Sequence, residues 1–120
     1  MNAVIVEDSK VIRHMIKQIL LQLEIETIGE AEDGIAGLEM VLNLKPDLVM
    51  LDLHLPKLDG DEVVRWIKKT HIMTKICVLS SFSEGEMEHL LDLGVDGAIN
   101  KPLSLQKMVR FCYESGLKSI

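Results

Sequence analysis

The chain predicts an α/β fold: one doubly wound parallel sheet with helices packed on both faces. Three observations carry this. Short apolar runs alternate with stretches of helical period about five times along the 120 residues. The apolar runs are nearly continuous rather than alternating, as expected for strands buried on both faces. Four of the runs end abruptly in polar or charged residues, and in such sheets ligands bind beyond the carboxyl ends of the strands.

The first strand is read at Ala3 to Val6, and Ser9 is placed to cap the helix that follows. In that helix Ile12, Met15, Ile16, Ile19, Leu20 and Leu23 recur at helical spacing. Thr27 to Ala31 is a more polar second strand, suited to an edge. Asp33-Gly34 turns the chain into a second helix with Leu38, Val41 and Leu42 inward, closed by Pro46. Leu48 to Leu51 is the third strand. A third helix runs from Asp61 to about Lys69 with Val63, Val64 and Ile67 inward, and Asp59-Gly60 reads as a turn. Ile76 to Leu79 is the fourth strand. Ser83 and Glu86 have capping-box spacing for a fourth helix that Gly94 ends. Gly97 to Asn100 is the fifth strand. Ser104 then caps a last helix with Leu105, Met108, Val109 and Cys112 on one face.

Size and composition bound the function. At this length residues 1–120 are expected to form one domain, large enough to bury a core without staples. No apolar run reaches the ~18 residues of a membrane span, and no basic-then-apolar leader is visible. Cys77 and Cys112 lack metal-ligand spacing and read as reduced thiols, which fits a cytoplasmic protein. A net charge of −6 argues against direct nucleic-acid binding.

The strand tips hold the chemistry. Val4-Ile5-Val6 ends in Glu7-Asp8, and Leu48 to Leu51 ends in Asp52. Ile76 to Leu79 ends in Ser80-Ser81, and Ala98-Ile99 in Asn100-Lys101-Pro102. Each has an ordinary reading alone: helix-capping acidity, turn residues, a surface lysine. Together, in order on four strands, they predict one crevice holding Glu7, Asp8, Asp52, Ser80 and Lys101. Clustered carboxylates repel one another, and Mg²⁺ relieves this through oxygen ligands while keeping several waters. Lys101 and Ser80 would meet phosphate oxygens, and a carboxylate can itself be the nucleophile, forming an aspartyl-phosphate. Asp52, central in the sheet, is the candidate acceptor, with Glu7 and Asp8 holding the metal.

These residues resemble the receiver domain of two-component response regulators, most nearly the chemotaxis type, over essentially the whole chain. The carriers are Glu7-Asp8, Glu30-Ala31-Glu32-Asp33-Gly34, the segment Asp52 through Gly60, Ser80, and Lys101-Pro102. The resemblance implies a flavodoxin-like (βα)5 three-layer sandwich with strand order 2-1-3-4-5. It gives Asp52 the phosphoacceptor role and Ser80 that of the switch hydroxyl, with Ser81 the lesser candidate. It also implies a cis peptide at Lys101-Pro102 and the backbone carbonyl of His54 as a further Mg²⁺ ligand.

The resemblance further implies a sensor histidine kinase or phosphotransfer protein as phosphodonor, docking on the first helix near His14 and Met15. The output face would be the fourth helix, fifth strand and fifth helix, with Met87, Leu91, Lys107, Arg110, Phe111 and Tyr113 as candidate contacts to a downstream protein. A monomer or a phosphorylation-dependent dimer is expected. His54 and Phe82 occupy positions that influence how water reaches the acyl phosphate. Three departures stand out. Ala98 replaces the usual aromatic switch side chain, Ser81 replaces a residue that is usually small, and the stretch from Ser80 to Lys101 is one residue short. A stand-alone regulator is the first expectation, and the receiver of a larger DNA-binding transcriptional regulator the second. From other classes come a Mg²⁺-dependent aspartyl phosphatase, disfavoured by His54 where a second Asp is usual, and a flavin module, disfavoured by the acidic Glu7-Asp8. A degenerate, unphosphorylated scaffold completes the alternatives.

Overall fold

The computed structural model describes residues 1–70, 72–81 and 83–118. Five strands and five helices alternate strictly: β1 (Asn2–Val6), α1 (Lys10–Gln22), β2 (Glu26–Ala31), α2 (Gly34–Leu44), β3 (Leu48–Leu51), α3 (Gly60–Lys69), β4 (Lys75–Ser80), α4 (Glu84–Leu93), β5 (Gly97–Asn100) and α5 (Leu105–Glu114). The strands form one sheet in the order β2-β1-β3-β4-β5, and every neighbouring pair is parallel. The predicted fold class and strand order therefore hold.

The continuous apolar runs produce two cores by simple alternation. Ala3, Ile5, Leu48, Met50, Cys77, Leu79 and Ile99 face α1 and α5, joining Ile16, Leu20, Met108, Phe111 and Cys112. Val4, Val6, Val49, Leu51, Ile76 and Val78 face the other way, joining Val41, Val63, Val64, Ile67 and Leu90 of α2, α3 and α4. Each Val, Leu, Ile, Phe or Met among them contributes about 1.5–3 kcal/mol when fully removed from water.

Local signals act as their chemistry requires. Ser9 Oγ accepts from the Ile12 amide, Asp33 Oδ1 from Ala36 and Ser104 Oγ from Lys107. Ser83 and Glu86 complete both halves of the capping box, and Gly94 ends α4 with φ 93°. Differences are small and physical. α3 starts at Gly60, one residue before the predicted Asp61, with Asp59 as its N-cap. Leu105 and Met15, counted on inward faces, are exposed, whereas Phe111, offered as an exposed output contact, is buried over Gly97. A charged residue takes the inward place on α1 instead, since Arg13 is only 7% exposed.

Because all strands run the same way, their carboxyl ends share one edge of the sheet. Val6, Leu51 and Val78 are joined through the register of β1 to β3 and β3 to β4. The residues just beyond these positions are the predicted site.

Candidate functional site

Glu7 and Asp8 leave the end of β1, Asp52 leaves the end of β3, and each of these three carboxylates offers an oxygen within 4.8 Å of the other two. Glu7 is 2% exposed and Asp52 5%, while Asp8 faces solvent. Burying two carboxylates beside a third requires compensation. Part of it comes from Lys101, whose Nζ lies 2.8 Å from Glu7 Oε1 and 3.5 Å from Asp52 Oδ2. The Glu7 contact is a charge contact outside hydrogen-bond alignment, so buried Glu7 Oε1 has no hydrogen-bond donor. Glu7 Oε2 accepts from the Ser9 amide, and Asp52 Oδ1 from the His54 amide.

The backbone around Asp52 is tightly held. Asp52 donates its amide to Val6 O, and Gly60 donates to Leu53 O. A Cβ on Gly60 would lie 2.4 Å from Asp52 O and 2.7 Å from Leu53 Cα. The Asp-Gly step is thus more than a turn: only glycine lets the start of α3 lie against the Asp52-Leu53 backbone. Lys57, at φ 68°, takes the left-handed position of that loop.

Ser80 ends β4, is 1% exposed, and accepts the Lys101 amide at its carbonyl at 3.1 Å. The Lys101-Pro102 peptide is cis, as expected from the resemblance. His54 is exposed on the loop after Asp52. Its companion position, Phe82, lies outside the described residues. Ala98 lines a cleft of about 360 Å³ together with Met87, Lys107, Arg110 and Phe111, on the face formed by α4, β5 and α5. Leu91 and Tyr113 are exposed on α4 and α5, and His14 and Met15 on α1.

Electrostatics follow from this packing. Contact with the Glu7 carboxyl, first, and lost hydration, second, raise the Asp8 pKa above its ordinary 3.8. For Lys101, burial alone would lower the pKa, but contact with Glu7 and Asp52 outweighs it, and the net shift is upward from 10.5. A carboxyl raised in the folded state opposes folding above its ordinary pKa and not below it. Asp8→Asn should therefore raise the melting temperature of the metal-free protein at neutral pH. That gain should shrink as pH falls through the raised folded value and be gone below 3.8. Thermal melts across pH check this, and a gain independent of pH would contradict it.

The donor set fits Mg²⁺. It consists of oxygens from three carboxylates, one of them a buried oxygen without a hydrogen-bond donor. Such a hard cation binds through a few carboxylates and completes its shell with water and phosphate.

Residues 3–112 match the family model described as the response regulator receiver domain. The chain belongs to this family. A protein-glutamate methylesterase/protein-glutamine glutaminase of Lawsonia intracellularis is 45% identical over 85 residues, which cover 70% of this chain and 24% of that protein. The chemotaxis protein CheY of Halobacterium salinarum is 36% identical over 102 residues, 84% of each chain. A chain of the CheX–CheY–BeF3–Mg²⁺ complex from Borrelia burgdorferi superposes with a TM-score of 0.92 at 26% identity, covering 98% of this chain and 90% of that one. The chain spans less than a third of the length of the methylesterases it matches.

The receiver is CheY-like and serves two-component signal transduction. Binding Mg²⁺ at an acidic pocket is a property of this family, and Glu7, Asp8 and Asp52 form an acidic cluster here. The family's receivers work through histidine kinases and downstream protein targets. No helix among the described residues is long and apolar enough to cross a membrane. One participant escaped the sequence reading: Arg13, whose guanidinium binds the backbone of Glu7 and Asp8. Its only signal was a cation six residues after Glu7 amid apolar helix positions.

Proposed function

We propose that this receiver accepts a phosphoryl group on Asp52 from a sensor histidine kinase or a phosphotransfer protein, and that the acyl phosphate switches a protein-docking face. The observation that carries the reading is the contact of one lysine with two buried carboxylates, beside a third, at the tips of β1, β3 and β5. Glu7, Asp8, Asp52 and the carbonyl of His54 would hold Mg²⁺. When bound, the metal neutralises charge on the transferring phosphoryl group.

The residues supply the remainder. An Asp52 oxygen attacks phosphorus as the bond to the donor's imidazole nitrogen breaks, and that nitrogen leaves with the electron pair. The His54 amide orients the Asp52 carboxylate through Oδ1. Lys101 holds positive charge beside Asp52 Oδ2 and is available to a phosphoryl oxygen. Ser80, at the end of β4, would bind another oxygen and pull its loop inward, shifting a pre-existing equilibrium toward the active surface. With Ala98 in place of an aromatic side chain, the switch would act through the Ser80 loop and α4.

In this reading residues 1–120 form one receiver unit of a cytoplasmic, non-enzymatic regulator. It acts by protein contact through α4, β5 and α5, as a monomer or a phosphorylation-dependent dimer. Intact mass after incubation with acetyl phosphate tests it. One added phosphoryl group, present with Mg²⁺ and lost on chelation, is the expected outcome. No adduct and no beryllofluoride complex would leave a scaffold without phosphotransfer. Turnover of a small phosphate ester would instead restore the phosphatase reading.

A further inference from the structure

We infer that Arg13 is a positioning residue for the metal-holding pair: its buried guanidinium fixes the backbone of Glu7 and Asp8 against the carboxylates at the exit of β2. This deepens the proposed function and rests on Glu7 and Asp8 holding Mg²⁺. Arg13 Nη1 donates to Glu7 O at 2.7 Å and to Asp8 O at 3.3 Å. Nη2 meets Glu32 Oε1 at 3.3 Å, and Nε lies 3.6 Å from Glu30 Oε1. Glu7 donates its own amide to Ala31 O, between those two glutamates. The peptide that carries both metal carboxylates is thus held on its carbonyl side by one side chain and on its amide side by β2.

The choice of arginine follows from geometry. A guanidinium has five donors in a fixed plane, enough to serve two carbonyls and two carboxylates at once. A lysine ammonium is a single point that cannot span them. The side chain is 9% exposed, and a buried cation persists only with its partners in place. Glu30 and Glu32 therefore compensate and aim the Arg13 charge, and Arg13 keeps the Glu7-Asp8 backbone in one conformation. Without this hold the two carboxylates would have to be ordered by the metal itself, at a cost in affinity. Residues that orient metal ligands typically account for 10–100-fold in metal affinity.

Calorimetric titration with Mg²⁺ tests this on the whole chain. Arg13→Gln is expected to weaken Mg²⁺ binding about 10–100-fold, with Arg13→Lys recovering only part of the loss. The acetyl phosphate rate of both variants should return toward wild type at saturating Mg²⁺, because the defect lies in holding the metal. A merely structural arginine would lower the melting temperature and leave Mg²⁺ affinity unchanged, which would overturn the inference. If Arg13→Gln does not fold, Arg13→Lys combined with Glu32→Gln replaces it. Weakened binding there supports the inference, and unchanged affinity overturns it. A wild-type protein that binds no Mg²⁺ overturns the proposed function as well, whereas wild-type binding with unaffected variants overturns the positioning role alone.

Discussion

Replacing Asp52 with Asn is expected to abolish phosphoryl uptake from acetyl phosphate altogether and, in the absence of divalent metal, to make the protein harder to unfold. The first effect follows from chemistry: a carboxylamide is no nucleophile toward phosphorus, and no other carboxylate shares the sheet-centre position beyond β3. The second follows from charge. Glu7, Asp8 and Asp52 lie within 4.8 Å of one another, and Lys101 is the one cation that contacts two of them among the described residues. Removing one negative charge relieves more repulsion than the lost 3.5 Å contact to Lys101 contributed, because Lys101 keeps its closer contact to Glu7. At separations of this order the net gain is about 1 kcal/mol. Asn keeps an oxygen to accept from the His54 amide, so the loop is not disturbed. Intact-mass analysis and urea unfolding measure the two effects. An adduct on the Asn variant would move the acceptor elsewhere, and lower metal-free stability would mean that the cluster is not under electrostatic load.

The fold was legible because each level of the sequence agreed with the next. Continuous apolar runs such as Leu48 to Leu51 have one residue in each core by turns, and only a sheet covered on both faces buries both. The caps at Ser9, Ser83 and Ser104 marked helix starts with side chains that do bind the expected amides, and Asp33, read only as part of a turn, caps α2 as well. The acidic pair, Asp52 and Lys101 were legible because parallel strands carry their tips to one edge. What escaped depends on rotation about helix axes and on backbone proximity. Periodicity could not say that Leu105 faces solvent while Phe111 turns inward, since both lie within one helical turn of the α5 seam. Nor could it say that Gly60 is required by the Asp52 and Leu53 backbone, a contact that exists only once α3 has packed. Arg13 was hidden for a related reason: a cation on an apolar face looks like a solvated residue until its partners are brought to it, Glu7 and Asp8 by β1 and Glu30 and Glu32 by β2.

Lys101→Met should cause the largest loss of stability of any single change at the site, and added Mg²⁺ should restore much of it. Lys101 contacts two carboxylates that are almost fully buried, and its own side chain is 24% exposed. Removing one partner of a buried ion pair typically costs 3–5 kcal/mol, because the charge left behind is unpaired. The partial exposure of Lys101 places the expected loss near the lower end, about 3 kcal/mol. The sign with pH is definite. A lysine whose folded pKa is raised gives its full stabilisation below the ordinary value of 10.5, and loses it only as pH rises through the higher folded value. The deficit of the Met variant is therefore fully present at neutral pH. A cation that binds only the folded state adds about 2.7 kcal/mol at a concentration one hundred times its dissociation constant. In the Met variant that cation also replaces the missing positive charge beside Glu7 and Asp52, so its stabilisation should exceed the wild-type gain. Urea unfolding of both proteins, with and without Mg²⁺, reads all four values. Equal Mg²⁺ gains in the two proteins would show that Lys101 and the metal do not share the same carboxylates, and the electrostatic account of this site would fall with that result.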